Sequence, residues 1–367
     1  MRLFLLSMAI VAALAAAGAA QSRRVAPTPT PPPPNDDAEK VITEEIKLNV
    51  LAFDEDGKFF SGVGENDMVI TENDVLHQPS SVRRIPANIL IIMDTGGEMR
   101  QVKTLDQTRR TARTIVEALQ MGDSIAILDY SDKARIVNEW STNKAVIRRA
   151  IGRTHFGRRS KFADALNMGR QFLQNSALEN KHIVLITDGT DSSENSSVKF
   201  EAIQEILATD ITVHVISYTA MEAADIDPRT KIVTTSPPPK AMPDEVAAQL
   251  PNGVRDVATT PKARSINLDR TLLRRLKTRK ADLQHSQEQL EALAENTNGT
   301  AIIPLTFDEM ITKSVLVAKM IDSSYVVTYT PKIPISEADN DRNILVTSKR
   351  PGLVVQARRK LVFSTPN

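Results

Sequence analysis

The sequence predicts an α/β fold, in which helices cover both faces of a central, mostly parallel sheet and smaller β segments precede and follow it along the chain. Three observations predict this fold. Short, wholly apolar runs have the pattern of strands that are buried on both faces. Stretches with helical spacing separate these runs, which is the order expected of a parallel sheet. Apolar and polar residues alternate near both ends of the chain, as they do in half-buried strands.

Each element of the α/β part follows from its own pattern. The apolar runs are residues 88–93, 123–130, 182–187 and 212–218. Apolar residues at helical spacing predict helices over residues 104–120, 144–151, 162–174, 198–208, 268–295 and 308–320. Asn298 and Gly299 would end the fifth of these helices, because both residue types tolerate the left-handed conformation of a helix terminus.

The remaining patterns divide the chain into domains. We expect a first β segment over residues 41–86, the α/β domain over residues 87–320 and a second β segment over residues 321–367. Repeated prolines break the pattern over residues 219–267, so we expect a partly disordered insertion there. The two β segments either pair into one sandwich, with the α/β domain inserted between them, or form two separate units.

The N-terminal residues have the form of a secretory signal peptide. Arg2 precedes an apolar run, and small residues follow it, so we expect residues 1–20 to be removed by cleavage after Ala19 or Ala20. The alternative is a membrane anchor, but the run is shorter than the roughly 20 apolar residues that a spanning helix needs. Prolines over residues 21–40 predict an extended linker. We therefore expect an exported protein, in a periplasm or outside the cell, with no stable transmembrane segment after cleavage.

The overall composition excludes several classes of function. The chain has 46 basic and 45 acidic residues, whereas most of the affinity of nucleic-acid-binding proteins comes from a basic excess. Aromatic residues make up 4% of the chain, and cysteine is absent. We therefore expect no nucleic-acid partner, and disulfides and thiolate metal sites are excluded.

Two polar segments directly follow predicted strands. The first is Asp94-Thr95-Gly96-Gly97-Glu98, and the second begins with Asp188-Gly189. Loops at the carboxyl ends of parallel strands lie at one edge of the sheet, where open α/β folds bind their ligands. We therefore expect these two segments to lie together.

This arrangement resembles the von Willebrand factor type A (VWA) domain, which has a Rossmann-like fold. "LEALAENTNG" is similar to the final helix of that family and its glycine stop. The segments similar to the ends of acidobacterial VWA-related exported proteins are "IKLNVLAFDEDGKFFSGVGENDMVITEND", "SSYVVTYTP" and "SKRPGLVVQARRKLVF". The resemblance implies a metal-ion-dependent adhesion site with ligands from Asp94, Ser160 and Asp188. The family pattern has hydroxyl residues at the positions of Gly96 and Glu98, so the predicted site is degenerate.

Two interpretations of this site remain open from the sequence. Glu98 could serve as a direct ligand of a divalent cation, and Ca²⁺ tolerates such a site better than Mg²⁺ because its coordination geometry is looser. The site could instead hold no cation, with Arg158 or Arg159 neutralising the carboxylates.

The resemblance implies a protein-binding module, used in adhesion or as a scaffold, whose partner the sequence does not identify. The alternative is a structural or assembly protein of the cell envelope that binds no metal and works through its β segments. An enzyme is the third class, but no nucleophile or general base accompanies the predicted carboxylates. We therefore expect no enzymatic activity.

Overall fold

The computed structural model describes residues 44–97, 104–175, 178–192, 196–230, 233–234, 265–266, 270–334 and 341–362. The strands are β1 Ile46–Phe53, β2 Met68–Glu72, β3 Val75–His77, β4 Ser81–Arg83, β5 Asn88–Asp94, β6 Ser124–Tyr130, β7 Ala134–Ser141, β8 Lys181–Thr187, β9 Thr212–Ser217, β10 Val233–Thr234, β11 Ser265–Ile266, β12 Ala301–Ile302, β13 Ser324–Tyr329, β14 Asp341–Ser348, β15 Val354–Ala357 and β16 Lys360–Val362. The helices are α1 Leu105–Ala118, α2 Lys144–Gly152, α3 Phe162–Gln174, α4 Ser196–Leu207, α5 Thr219–Ile226, α6 Arg270–Asn296 and α7 Phe307–Asp322.

A six-stranded sheet forms the centre of the α/β domain. Its strand order is β12-β9-β8-β5-β6-β7, and all neighbouring strands are parallel except the pair of β6 and β7. In β5, β6 and β8 every residue after the first is buried, which explains their continuous apolar sequences. This confirms the predicted fold class.

Strand β7 is the element of this sheet that the sequence did not predict. Its residues, "ARIVNEWS", are half-buried or exposed, because β7 is an edge strand that pairs only with β6. An edge strand has no continuous apolar run, so the sequence of β7 lacks the pattern from which the other strands were predicted. Trp140 in this strand stacks on Phe172, with ring centroids 5.1 Å apart, so it packs within the domain.

Helices cover both faces of the central sheet. One apolar core lies between the sheet and α1 and α7, and a second lies between the sheet and α3, α4 and the C-terminal half of α6. Helix α1 begins with a capping box, in which the Thr104 hydroxyl accepts from the Gln107 amide and the Gln107 side chain accepts from the Thr104 amide. Such caps typically stabilise a helix by about 1 kcal/mol.

Strands from the two ends of the chain pair with each other. One four-stranded sheet has the order β15-β1-β13-β4 and another has the order β16-β14-β2-β3, so each sheet combines strands that precede the α/β domain with strands that follow it. Their apolar side chains share one core, formed by residues such as Val50, Ile70, Val327 and Ile344. The arrangement is therefore a single sandwich.

The predicted insertion begins with ordered structure. Helix α5 covers Thr219–Ile226, and a 3₁₀ turn follows over Asp227–Thr230. Ile226 packs against Leu276 and Leu283 of α6, which explains why this segment is helical. The segment predicted as a partly disordered insertion therefore begins with a helix that the sequence did not predict, and most of residues 231–267 lie outside the described part of the chain.

No helix among the described residues is both long enough and apolar enough to cross a membrane.

Candidate functional site

The candidate site lies at the carboxyl edge of the central sheet. Asp94 ends β5 and Asp188 directly follows β8, and these strands are parallel neighbours in a register that pairs Met93 with Ile186. Both aspartates are buried, with exposed fractions of 0% and 5%. The structure thus brings together two of the predicted residues, as the strand pattern predicts.

Asp94 is held by the loop that it begins. Its Oδ1 accepts a hydrogen bond from the Gly96 amide at 2.9 Å, and the Thr187 hydroxyl lies 3.5 Å from its Oδ2. The Thr187 hydroxyl also lies 2.6 Å from the Tyr130 hydroxyl and accepts from the Gly189 amide at 2.7 Å. Asp94 is therefore part of a buried polar network that joins β5, β6 and β8.

Asp188 binds a cationic side chain of the protein itself. Its Oδ1 accepts from the Thr190 amide and hydroxyl, at 2.8 and 2.7 Å. Its Oδ2 accepts from Nη2 of Arg279 at 3.1 Å, and Nη1 of the same guanidinium donates to the Thr190 hydroxyl at 2.9 Å. The loop after β8 is thereby fastened to helix α6.

Arg279 also binds Glu222 of helix α5, to which its Nε donates at 2.8 Å. The side chains of Asp188, Glu222 and Arg279 are 7%, 6% and 21% exposed. Burial lowers the pKa of Arg279, but the charges of Asp188 and Glu222 outweigh this effect and raise the pKa above its usual value. A permanent positive charge therefore lies at this edge of the sheet.

Arg279 is the site residue that the sequence analysis missed. Arg158 and Arg159 were the residues predicted to neutralise the carboxylates, but both are exposed, and their backbone amides donate to Asp132. A signal for Arg279 existed, because it lies at helical spacing from the buried residues Leu283 and Ser286. A charged residue on the buried face of a helix requires a partner.

Ser160, the third predicted residue, lies beside the same network. It is 4% exposed, its amide donates to the Ser192 hydroxyl at 2.7 Å, and its carbonyl accepts from the Ser192 amide at 2.7 Å. The Ser160 hydroxyl makes no well-aligned hydrogen bond, although it lies close enough to the Tyr130 hydroxyl to affect the pKa of that group. Burial, followed by the charges of Asp94 and Asp188, raises the pKa of Tyr130 well above its usual value.

Gly96 occupies a position where a side chain cannot fit. A Cβ atom there would lie 1.8 Å from the carbonyl oxygen of Arg159 and 2.8 Å from Cα of Ser131. The backbones of three loops meet at this residue. The hydroxyl that the family pattern has at this position is thus absent, and the space for it is filled by backbone.

Lys199 of helix α4 adds a second positive charge near Asp188. Its Nζ lies 3.4 Å from the Ser286 hydroxyl, which in turn donates to the Asp188 carbonyl at 2.7 Å. Burial lowers the pKa of Lys199 to about 8, against the opposing effect of Asp188 and other nearby carboxylates. The surroundings of Asp188 therefore favour an anion at this residue and disfavour a further cation.

The described residues do not fit the divalent cation that the family pattern implies. The guanidinium of Arg279 binds the Asp188 carboxylate, and the backbone fills the space of one hydroxyl ligand. Among the described residues, no three His, Asp or Glu side chains are grouped so that they could hold a metal ion. Glu98, the fourth predicted ligand, lies outside the described residues.

Comparison with known proteins supports the same family. Residues 89–190 match the family model described as the von Willebrand factor type A domain. Comparison with curated proteins gives no match.

Several solved structures are similar to parts of the chain. A von Willebrand factor type A protein from Catenulispora acidiphila is 11% identical, with a TM-score of 0.42, over 89% of this chain and 75% of that one. An aerotolerance-related membrane protein from Bacteroides fragilis is 14% identical, with a TM-score of 0.39, over 64% and 98%. A variant of the PilB minor pilin from Streptococcus sanguinis is 12% identical, with a TM-score of 0.41, over 66% and 62%.

The family match spans the strands and loops that carry Asp94, Ser160 and Asp188, and the sheet has the parallel order that the resemblance implies. The part of the chain that carries these residues is therefore similar to a von Willebrand factor type A domain, the family whose model residues 89–190 match.

Proposed function

We propose that this chain is an exported protein-binding module whose adhesion site is degenerate and holds the guanidinium of Arg279 in place of a divalent cation. The observation that carries the proposal is the ion pair of Arg279 and Asp188, with Nη2 and Oδ2 3.1 Å apart. A buried carboxylate needs a compensating positive charge. In this chain helix α6 supplies that charge, so partner binding does not require a metal.

Export is supported by the N-terminal sequence, in which Arg2 precedes an apolar run and small residues. The test is cell fractionation of the full chain, followed by N-terminal sequencing of the recovered protein. We expect a periplasmic or secreted protein that begins at Ala20 or Gln21. A cytoplasmic protein that keeps residues 1–20 would contradict export.

Metal-independent binding is tested by chemical cross-linking of the processed chain in an envelope fraction. The experiment is run once with Mg²⁺ and Ca²⁺ and once with EDTA. We expect one specific partner in both conditions, because the proposed binding does not use a cation that EDTA would remove. The proposal fails if cross-linking finds no specific partner, or if EDTA abolishes the cross-link.

A second candidate function is a structural or assembly protein that works through its sandwich. Leu76 and Leu345 favour this second function, because their side chains are 61% and 56% exposed. The two leucines lie on β3 and β14, the strands on either side of β2, and each pairs with Thr71 of β2. The same cross-linking distinguishes the two functions. Contacts that persist in an Asp94→Ala and Asp188→Ala variant, and that map to Leu76 or Leu345, would favour the assembly function.

A further inference from the structure

One part of the α/β domain has a strong excess of positive charge. Residues 105–161 contain twelve Lys and Arg and six Asp and Glu, a net charge of +6, whereas the whole chain has a net charge of +1. Exposed members of this group lie at the carboxyl edge of the sheet. We call Lys133, Arg153, Arg158 and Arg159 the arginine surface.

The loops that carry the arginine surface are in contact. The Asp132 carboxylate accepts from the backbone amides of Arg158 and Arg159, at 3.4 and 3.0 Å. The Ser131 carbonyl accepts from the Lys161 amide at 3.1 Å, and the Ser131 amide donates to the Lys133 carbonyl at 3.2 Å. The turn between β6 and β7 and the loop between α2 and α3 therefore form one surface.

The carboxylates near this surface already have ion-pair or hydrogen-bond partners within the protein. Asp129 pairs with Arg135, with Oδ1 and Nε 2.8 Å apart. Asp132 accepts the two backbone amides named above. None of Lys133, Arg153, Arg158 and Arg159 forms an ion pair with a described residue, and all four are exposed. Their charges are therefore available to a partner.

The backbone beneath these side chains is fixed by close packing. A Cβ at Gly157 would lie 2.5 Å from the Ser131 hydroxyl and 2.7 Å from Oδ2 of Asp132, and the Arg159 carbonyl packs against Gly96. The Gly157 amide also donates to the Thr95 carbonyl at 3.2 Å. A rigid backbone reduces the conformational entropy that a loop loses on binding, which favours its use as a binding surface.

Guanidinium groups bind carboxylates and phosphates through paired hydrogen bonds. The charge of the rest of the chain limits the choice between these partners. Asp188 and Asp191 lie on the loop after β8, and the Ser192 amide of that loop donates to the Ser160 carbonyl at 2.7 Å. Asp188 is neutralised by Arg279, but the residues outside 105–161 carry a net charge of −5, so an extended array of phosphates, such as a nucleic acid or an anionic bilayer, would meet negative charge beyond the arginine surface. A short acidic protein segment can bind to the arginine surface without extending beyond it.

We infer that the arginine surface binds an acidic segment of a protein partner, with Arg158 and Arg159 as its anchors. This inference rests on the proposed function, because it names the chemistry of the partner that the module recognises. Consecutive residues in a loop point in different directions, so the two arginines contact separate carboxylates of the segment. Arginine is also among the residues that most often dominate interface energies.

The test measures the binding of a fluorescein-labelled peptide of ten glutamates to the processed full chain by fluorescence anisotropy. The binding variant is Arg158→Glu with Arg159→Glu. The matched control is Arg274→Glu with Arg275→Glu, which changes the same total charge at two consecutive exposed arginines of helix α6. Circular dichroism establishes that both variants are folded.

We expect the binding variant to raise Kd for the peptide at least tenfold and the control to change it less than twofold. Equal losses in the two variants would overturn the inference, because they would show a diffuse charge effect. Tighter binding to phosphatidylglycerol vesicles or to a polythymidylate strand than to the peptide would also overturn it. Envelope cross-linking that persists in EDTA while the peptide does not bind would overturn the acidic partner and leave the proposed function standing.

Discussion

At the residue scale, the backbones of three loops meet at Gly96. The carbonyl oxygen of Arg159 lies where a side chain at this position would begin, 1.8 Å from the position of Cβ. The replacement of a hydroxyl residue by glycine is therefore coupled to the path of the loop that carries Ser160. The glycine at this position and the Arg279 guanidinium at Asp188 both support the proposal that the protein's own groups fill this site.

A Gly96→Ser variant tests this closure. We expect it to lower the free energy of unfolding by about 1–3 kcal/mol, the usual range for overpacking, because the Arg159 carbonyl must move. Urea denaturation measures the loss. The control is Gly64→Ser, since Gly64 has φ of −117° and the nearest atom to an added Cβ is 3.8 Å away. Equal stability of the two variants would contradict this prediction, because it would show that the loops at Gly96 can move at little cost in free energy.

At the element scale, two adjacent strands carry a pair of buried histidines. His182 of β8 and His214 of β9 are stacked, with ring centroids 5.4 Å apart, and Nδ1 of His182 lies 3.3 Å from Nε2 of His214. Nε2 of His182 lies 2.9 Å from Oδ1 of Asn180. Burial lowers the pKa of His214 to about 3, and burial together with His214 lowers the pKa of His182 well below its usual value. Both rings are therefore neutral in the folded protein near neutral pH.

This pair predicts acid sensitivity of the domain. Below pH 6.5, the usual histidine pKa, the unfolded chain binds protons that the folded chain does not, so stability falls as the pH falls toward the folded values. At pH 5 the loss is about 2 kcal/mol for His214, and His182 adds to it in the same direction. Urea denaturation at pH 8 and pH 5 measures this difference. We expect this difference to shrink by at least about 2 kcal/mol in a His182→Leu and His214→Leu variant, and to stay unchanged in a control variant at the exposed His285. If the loss of stability between pH 8 and pH 5 were as large in the double variant as in the native chain, this account would be contradicted.

Most elements were predictable because their burial is uniform. The central strands and the helices packed on them have continuous or periodic apolar sequences, so the predicted bounds of α3 match those observed. Strand β7 and helix α5 were missed, since the first is a half-exposed edge strand and the second precedes a proline-rich stretch.

The site was predictable only in part. Strand ends place Asp94 and Asp188 together by topology alone, whereas Arg279 lies 91 residues beyond Asp188 along the chain. No local pattern connects residues at such a separation, and helix α6 had to be placed in space first. The resemblance to acidobacterial exported proteins stays a prediction, because the family match covers residues 89–190 and not the chain ends.

At the scale of the whole molecule, the chain begins and ends in the same sandwich. Arg342 of β14 binds Glu72 of β2, and their side chains are 1% and 5% exposed. Helix α6 extends from the candidate site, through Arg279, to the sandwich. At its far end the Asn298 side chain donates to the carbonyls of Asn49 and Gln356, at 2.9 and 3.2 Å. The two ends of the chain and the α/β domain are thus joined by polar contacts as well as by the chain itself.

Loss of the buried ion pair should destabilise the sandwich. We expect Arg342→Met to lower the free energy of unfolding by about 3–5 kcal/mol, because it leaves the Glu72 carboxylate buried without its cation. Thermal and urea denaturation measure the loss. The matched control is Arg350→Met, since Arg350, just after β14, pairs with Asp67, just before β2, but is 42% exposed, which predicts a loss below about 1 kcal/mol. Similar losses in both variants would contradict the account of the buried pair.

The most direct test of the central claim is isothermal titration calorimetry of the processed chain with Mg²⁺, Ca²⁺ and Mn²⁺, with Asp188→Ala as the control. The account predicts no saturable binding of any of the three ions to the native chain, because Arg279 holds the carboxylate that a cation would need. Saturable binding of one ion per chain, abolished by Asp188→Ala, would contradict it and would show a working metal-dependent adhesion site.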